Sequence, residues 1–410
     1  MEKTIKKKWL GDIALTKDLV LLLLIGGLYS LSIALSNTFV NVFLWKQTGD
    51  FFQLGLYNFM IAITQPIMFI LAGRIAKKVD RIIVLRIGVF ILALYYSVVV
   101  MSGANAANYL LVLGALIGAG YGFYWLAYNV LTFEITDPHN RDFFNGFLGV
   151  LNSLGGIFAP LFAAFMISKF IGFSGYILIF SISLGCFAVC AVLSFFMKRR
   201  PAKGHYFFVQ ILKERRNNPD WRRITNAHLF QGLREGIFAF VINVYVYIST
   251  GSEMALGTFA FLNSTVSFIS YYLASRFIKK KDRKKAIFLG GLFLFLSIFI
   301  IVYKVTYPFF LLYSVIIAIS YPMVLVPFLS MTYDVIGQAR EAGELRIEYV
   351  VVRELFLNVG RILSVSLFLF VVSFFPGEGT LSLLLIFLGA GYLAIYTCIR
   401  HIQIHEHASL

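Results

Sequence analysis

The chain has little cysteine, little acid and none of the short motifs that announce an enzyme. Its three cysteines in 410 residues, Cys186, Cys190 and Cys398, support no disulfide framework. Cys186 and Cys190 lie one helical turn apart in an apolar run, where cysteine acts as a small hydrophobe. Three of the six histidines, His401, His405 and His407, sit in the C-terminal tail. A solvated tail accounts for them, and no metal site is expected. No Gly-x-x-x-x-Gly-Lys-Ser/Thr run exists, so ATP is not expected to drive the protein. Gly118-Ala119-Gly120-Tyr121-Gly122 has the outline of a nucleotide fingerprint, but it lies inside an apolar run with no strand before it. No nucleophile–base pair or metal set is found, so no enzyme and no cofactor are expected, beyond a coupling proton or ion. Charged residues make up only 14% of the chain, and 20 acids face 36 lysines and arginines.

What the chain has in abundance is apolar surface. It is 59% hydrophobic and 17% aromatic, with mean hydropathy +0.82. Water cannot solvate that composition, whereas a bilayer can if every backbone polar group is satisfied within helices or a closed barrel. The apolar runs do not alternate and are about 20 residues long, so they read as membrane-spanning helices. Twelve spans are predicted, near 19–46, 51–73, 82–103, 107–132, 143–168, 173–197, 224–249, 253–278, 286–303, 306–335, 346–374 and 379–399. The basic start, Lys3 to Lys8, resembles the beginning of a secretion signal. The apolar run that follows is too long and lacks a small-residue cleavage site. The expected fold is an all-α membrane protein with twelve helices in two six-helix bundles, residues 1–197 and 224–410. A polar linker at 198–223 joins them. Within it, His205 to Arg216 reads either as a surface helix with Tyr206, Phe208, Val209 and Leu212 on lipid, or as a plain connecting loop.

Net charge +16 raises the question of nucleic acid, and the distribution answers it. About thirty of the 36 lysines and arginines fall in the termini and alternate loops that share one side of the membrane. Near the other side lie Lys46, Lys169 and Lys304. That asymmetry predicts a multi-pass plasma-membrane protein with both termini cytoplasmic. The basic segments are short and anchored between spans, so they suit anionic lipid headgroups rather than nucleic acid. A monomer is expected.

A charged loop occurs twice. Gly73-Arg74-Ile75-Ala76-Lys77-Lys78-Val79-Asp80-Arg81 and Ser275-Arg276-Phe277-Ile278-Lys279-Lys280-Lys281-Asp282-Arg283 share Arg, Lys-Lys and Asp-Arg in register. Such internal repeats point to a transporter built from two pseudo-symmetric bundles. With two sets of six spans and a long central loop, the chain resembles the major facilitator superfamily over essentially its whole length. The family's signature in this loop runs Gly-x-Leu-Ala-Asp-Arg-x-Gly-Arg-Lys. Gly73, Ile75, Ala76, Lys78 and Arg81 match it, while Lys77 stands at the Asp and Asp80 at the second Gly. The resemblance implies a cytoplasmic gate at Gly73, Lys77, Asp80, Arg81, Asp282 and Arg283. The pairing role of the signature Asp does not carry over to Lys77, and Asp80, one turn later, is the candidate to replace it. Span 5, with Gly149, Gly155, Gly156, Ala159, Pro160 and Ala163, resembles the family's antiporter pattern and also reads as generic packing. In span 4, Gly114 stands where drug antiporters of the family carry a coupling arginine, so that arginine is missing. Gly114, Gly118 and Gly122 form a packing face.

Charged groups within spans are expensive and are functional candidates. Span 7 carries Gln231, Arg234 and Glu235, and span 11 carries Arg353, Glu354, Asn358 and Arg361. Helical spacing puts Gln231, Arg234 and Glu235 on one face, and Glu354, Asn358 and Arg361 on another. Either these groups bind solute or a coupling proton, or Arg and Glu neutralise each other between spans 7 and 11 and fix packing. Asn37 and Asn41 align with Ser30 in span 1. Tyr124, Trp125 and Tyr128 follow Tyr121 in a stripe along span 4, which suits a cavity for a bulky, partly apolar solute or ordinary packing. Pro322 and Pro327 in span 10 suit a gate. The expected function is secondary transport of a small hydrophobic or amphipathic solute by alternating access, as proton-coupled efflux. Two alternatives stand beside it: an anionic amphiphile or lipid-linked headgroup held by Arg234 or Arg361, and a transporter-like sensor or scaffold that binds without transport.

Overall fold

The computed structural model describes residues 16–402 apart from 136–137, 203 and 376; the basic N-terminal start, His405 and His407 lie outside them. The chain forms α1 (Lys17–Thr48), α2 (Phe51–Lys78), α3 (Arg81–Ser102), α4 (Leu110–Ile135), α5 (Pro138–Lys169), α6 (Ser174–Phe195), a short α7 (Phe208–Glu214), α8 (Pro219–Thr250), α9 (Glu253–Phe277), α10 (Arg283–Tyr303), α11 (Tyr307–Gly337), α12 (Arg346–Phe374), α13 (Glu378–Gly389) and α14 (Gly391–Ile399). The twelve predicted spans all fall on these helices, with span 7 as α8, span 10 as α11 and span 11 as α12. Span 4 begins later than expected, because 3-10 turns occupy Gly103–Tyr109. Span 12 is split at Ala390 into α13 and α14. By length and composition, ten stretches among the described residues can cross a membrane, one of which, Arg81–Thr132, holds both α3 and α4. Helix α9 is not among them, since Asn263, Ser264, Thr265, Ser267 and Ser270 dilute its apolar content. Its 25 residues still reach about 37 Å, more than the roughly 30 Å of hydrocarbon.

Local chemistry sets the helix ends. Helix α1 stops at Gly49, whose φ of 61° is left-handed and whose N–H reaches Trp45 O; Asp50 then caps α2 by accepting from Phe52 N at 2.8 Å. The C-terminal half repeats the device. Helix α8 stops at Gly251, with φ 62°, and Ser252 caps α9 by accepting from Ala255 N. Thr48 and Thr250 even make matching bonds, each hydroxyl donating to a carbonyl four residues back and accepting from Asp50 N or Ser252 N. The interval from Gly49 to Gly251 equals that from Asp80 to Asp282, so this hairpin is a second copy of the internal repeat.

Packing follows the same symmetry. In the N-terminal half, α2 and α3 lie against α4, and α1 and α3 against α6; in the C-terminal half, α8 lies against α12 and α14, and α10 and α9 against α11. The halves meet where α2 packs on α12 and α5 on α9. Gly114, Gly118 and Gly122 form the expected packing face, each lying against the backbone of α2.

The linker does not lie on lipid as its amphipathic pattern suggested. Tyr206, Phe208 and Leu212 are half-buried against the helices, Ile211 is fully buried, and only Val209 of the named face is exposed. Trp221 holds α7 down by donating from Nε1 to Ile211 O at 3.2 Å, and Arg215 stacks over Phe356 at 3.9 Å. The same periodicity serves a protein surface as well as a bilayer, and here α12 and the start of α8 take it. Ala202 N and Gly204 N donate to Val79 O and Lys77 O, which straps the linker across the end of α2.

Candidate solute pathway and its two gates

Helices α8 and α12 cross backbone to backbone, and glycine makes it possible. A Cβ on Gly232 would land on Leu357 O, and one on Gly360 would land on Leu229 O. Without those side chains the two helices come together, and Glu235 of α8 meets Arg361 of α12 at 2.8 Å. The Glu235 carboxylate is saturated. Its second oxygen accepts from Gln231 Nε2 at 2.9 Å, Tyr392 Oη at 3.0 Å and Tyr321 Oη at 3.2 Å. Two turns earlier on α12, Arg353 pairs with the adjacent Glu354, and Asn358, between Glu354 and Arg361, donates to Glu354 O while accepting from Arg361. His228 is buried and bonds Gln231 Oε1 and Thr332 Oγ1.

These groups line a cavity of about 820 Å³ bounded by both halves. Asn37, Asn41, Tyr121 and Trp125 face it from the N-terminal half; Gln231, Arg234, Glu235, Arg353, Glu354 and Arg361 face it from the other. Asn41 accepts from Asn58 Nδ2 at 2.9 Å. A vestibule of about 910 Å³ lies toward the basic loops, lined by Tyr29, Tyr124, Tyr128, Lys77, Arg81 and Glu134 among others. It shares Trp125, Asn129 and Tyr333 with the central cavity, so the two are neighbours separated by these side chains. The aromatic stripe of span 4 thus divides. Tyr124 is packed, stacked on Tyr29 with centroids 3.9 Å apart, Tyr128 donates to Leu22 O at the vestibule, and Trp125 reaches both spaces. Asn358 is fully buried behind the cavity wall rather than on it.

Among the described residues, two ion pairs join the halves, one at each end. At the basic end, Lys77 Nζ at the C-terminus of α2 lies 3.3 Å from Glu348 of α12 and donates to Glu344 O at 2.5 Å. Glu348 has no exposed surface and also accepts from the linker's Phe207 N at 3.3 Å. Beside it, the half-buried Tyr206 has a buried hydroxyl without a hydrogen-bond partner among the described residues, and burial raises its pKa. At the opposite end, Lys46 in the last turn of α1 pairs with Glu253 at the start of α9 at 2.7 Å, and Tyr176 donates to the same carboxylate at 2.9 Å. Both pairs take the lysine from the N-terminal half and the glutamate from the C-terminal half.

The gate expected from the loop motif is therefore rearranged. Lys77 does bridge the halves, with the sign of the family's pair inverted, because a buried glutamate stands opposite. Asp80 does not bridge them: it caps α3 through Ile82 N and pairs with Arg199 of the linker at 3.1 Å. Arg81 pairs with Glu134 at 2.8 Å and Arg283 with Asp334 at 2.7 Å, so each ties adjacent helices within its own half. These two pairs occupy corresponding places in the repeat. Asp282 precedes α10 as Asp80 precedes α3, but its side chain makes no capping bond. Gly73 lies at the α2–α12 contact, against Tyr206 and Val351. Sequence reasoning missed Glu348, Glu253, Tyr321, Tyr392 and His228. The shortage of charge on the weakly basic side, where Lys46 was noted, was the signal that could have found Glu253. Among the described residues, no group of three His, Cys, Asp or Glu side chains is placed to hold a metal ion.

Two helical halves around a polar cavity, with a cross-half ion pair at each end, have the architecture of a two-bundle solute transporter. Residues 22–345 match the Major Facilitator Superfamily, and the chain belongs to that family of multi-pass secondary transporters rather than to the enzymes. The chain is 55% identical over 400 residues to "Uncharacterized protein YqgE" of Bacillus subtilis (strain 168), covering 98% of this chain and 93% of that one. A Geobacillus stearothermophilus protein, "Uncharacterized protein in sodM 3'region", is 57% identical over 174 residues, covering 42% of this chain and 81% of its own. Solved structures share the fold. An auto-inhibited POT family peptide transporter superposes with TM-score 0.73 at 11% identity, covering 96% of this chain and 99% of that one. The human organic anion transporter MFSD10 (TETRAN) gives 0.68 at 15%, covering 93% and 99%. A bacterial homologue of ferroportin in its inward-facing state gives 0.68 at 16%, covering 95% and 99%.

Proposed function

We propose that the protein exports a small hydrophobic or amphipathic solute across the cell membrane by alternating access, with both termini and the basic loops in the cytoplasm. The observation that carries this reading is the pair of cross-half latches, Lys46–Glu253 and Lys77–Glu348, at opposite ends of one cavity. The units that rock are residues 1–197 and 224–410, joined by 198–223. Opening toward the basic end requires Lys77 to leave Glu348. Opening toward the other end requires Lys46 to leave Glu253. Solute enters through the vestibule, whose aromatic rings suit an apolar body, and passes Trp125 into the cavity. No ATP site is expected, so a gradient supplies the energy. Glu235 and Glu354 are the coupling candidates, because each is paired to an arginine that a proton would set free.

The basic loops hold anionic headgroups in this account. Purified protein in proteoliposomes tests it: a thermal-shift screen of drugs, sugars, peptides and lipids supplies a ligand, and counterflow of that ligand is then measured. Saturable counterflow is expected. Binding without counterflow would instead identify a sensor or scaffold.

A further inference from the structure

Among the described residues, five charged side chains line the central cavity: Arg234, Glu235, Arg353, Glu354 and Arg361. Four of them neutralise one another as Glu235–Arg361 and Arg353–Glu354. Arg234 is left over. It is 7% exposed, and its Nε and Nη2 are buried without a hydrogen-bond partner. Its guanidinium carbon lies 4.4 Å from the Phe238 ring and 4.9 Å from the Tyr392 ring, with the Tyr313 hydroxyl as polar neighbour. Among the described residues, no carboxylate pairs with it.

An arginine keeps its proton inside proteins, so this charge cannot be removed by titration. Ring faces offset only part of the hydration that a buried guanidinium loses. The cavity wall therefore holds one uncompensated positive charge, next to aromatic surface from Tyr121, Trp125 and Phe238. We infer that the solute is an amphipathic organic monoanion, a carboxylate or sulfonate on an apolar body, and that Arg234 is its counter-ion. This rests on the transport reading above and narrows its solute class. Arg361 is not the anchor, because Glu235 already occupies it. A second negative charge on the solute would meet Glu235 and Glu354 with no free cation. The cavity volume suits a body the size of a fused aromatic ring system.

Calorimetric titration of the protein in lipid nanodiscs tests the inference with four probes: 2-naphthoate, 2-naphthalenemethanol, 2-naphthalenemethylamine and naphthalene-2,6-dicarboxylate. Naphthoate should bind at least about ten-fold more tightly than the alcohol or the amine, and more tightly than the dicarboxylate. Arg234→Gln should erase that preference while leaving the alcohol's affinity unchanged, and Arg234→Lys should keep part of it. Equal affinity for acid and alcohol in the unaltered protein overturns the inference, as does an acid preference that survives Arg234→Gln. Should Arg234→Gln fail to fold, the ranking of the four probes on the unaltered protein decides alone. Counterflow of the alcohol with no preference for the acid would sink the anion site and leave transport standing. Arg234-dependent naphthoate binding without counterflow would support the site and sink transport.

Discussion

Lys77 and Glu348 face each other 3.3 Å apart across the basic end of the molecule, on helices from opposite halves, and the glutamate is fully buried. Removing the lysine leaves a buried carboxylate without its cation, a loss of about 3 kcal/mol for a buried pair. Lys77→Gln should therefore shift the population toward the state open at the basic end by up to about 100-fold. Hydrogen exchange across residues 344–351 and 199–208 should speed up accordingly, and Lys77→Glu combined with Glu348→Lys should slow it again. Unchanged exchange in Lys77→Gln would mean that the pair is not a latch.

Glu235 and Glu354 carry the coupling prediction. If Glu235 holds the transported proton, Glu235→Gln should abolish gradient-driven transport and leave counterflow intact. Glu354→Gln should do so if the proton sits on α12. If both carboxylates are only structural, each Gln variant should lose about 3 kcal/mol of stability, because Arg361 or Arg353 would stay buried without its anion. Full driven transport with both substitutions combined would eliminate the two sites.

Glycine at the α8–α12 crossing should be indispensable. Gly232→Ala and Gly360→Ala each drive a methyl into backbone carbonyl and should cost about 1–3 kcal/mol, read as a lowered thermal midpoint. Gly149→Ala on α5 meets nothing within 4 Å and should be neutral or stabilising by up to about 1 kcal/mol. Equal effects at the three positions would contradict the packing argument.

Topology follows from charge. Reporter fusions at residue 410 and within 198–223 should both score cytoplasmic, since the basic loops alternate with nearly neutral ones. An external score for either would break the orientation.

The twelve spans and the end of the molecule that is basic were legible in the sequence, because hydropathy and charge are local properties. So was the placement of Asn37, Asn41 and Glu235 on the cavity lining, since helical spacing sets which residues share a face. Partner choice was legible only in part. Neutralising Arg–Glu pairs between spans 7 and 11 were one of two readings, and Glu235–Arg361 is such a pair, but the sequence did not specify which arginine Glu235 would take or that Arg353 would take the adjacent Glu354. The same holds for Lys77. Its loop motif predicted the gate, but only the packing of α2 on α12 supplies Glu348. The α7 segment shows the converse problem, because one apolar face fits lipid and protein equally, and only its packing on α12 and the start of α8 decided.

The central claim is that one cavity opens alternately to the two sides, and cysteine accessibility tests it most directly. Asn37 lines the cavity and is exposed to it. In a background lacking Cys186, Cys190 and Cys398, Asn37→Cys should react with a membrane-impermeant maleimide in both right-side-out and inside-out vesicles. Adding Lys77→Gln should raise labelling from the basic side, and adding Lys46→Gln should raise it from the other. Labelling from one side alone, unmoved by either latch substitution, would contradict alternating access.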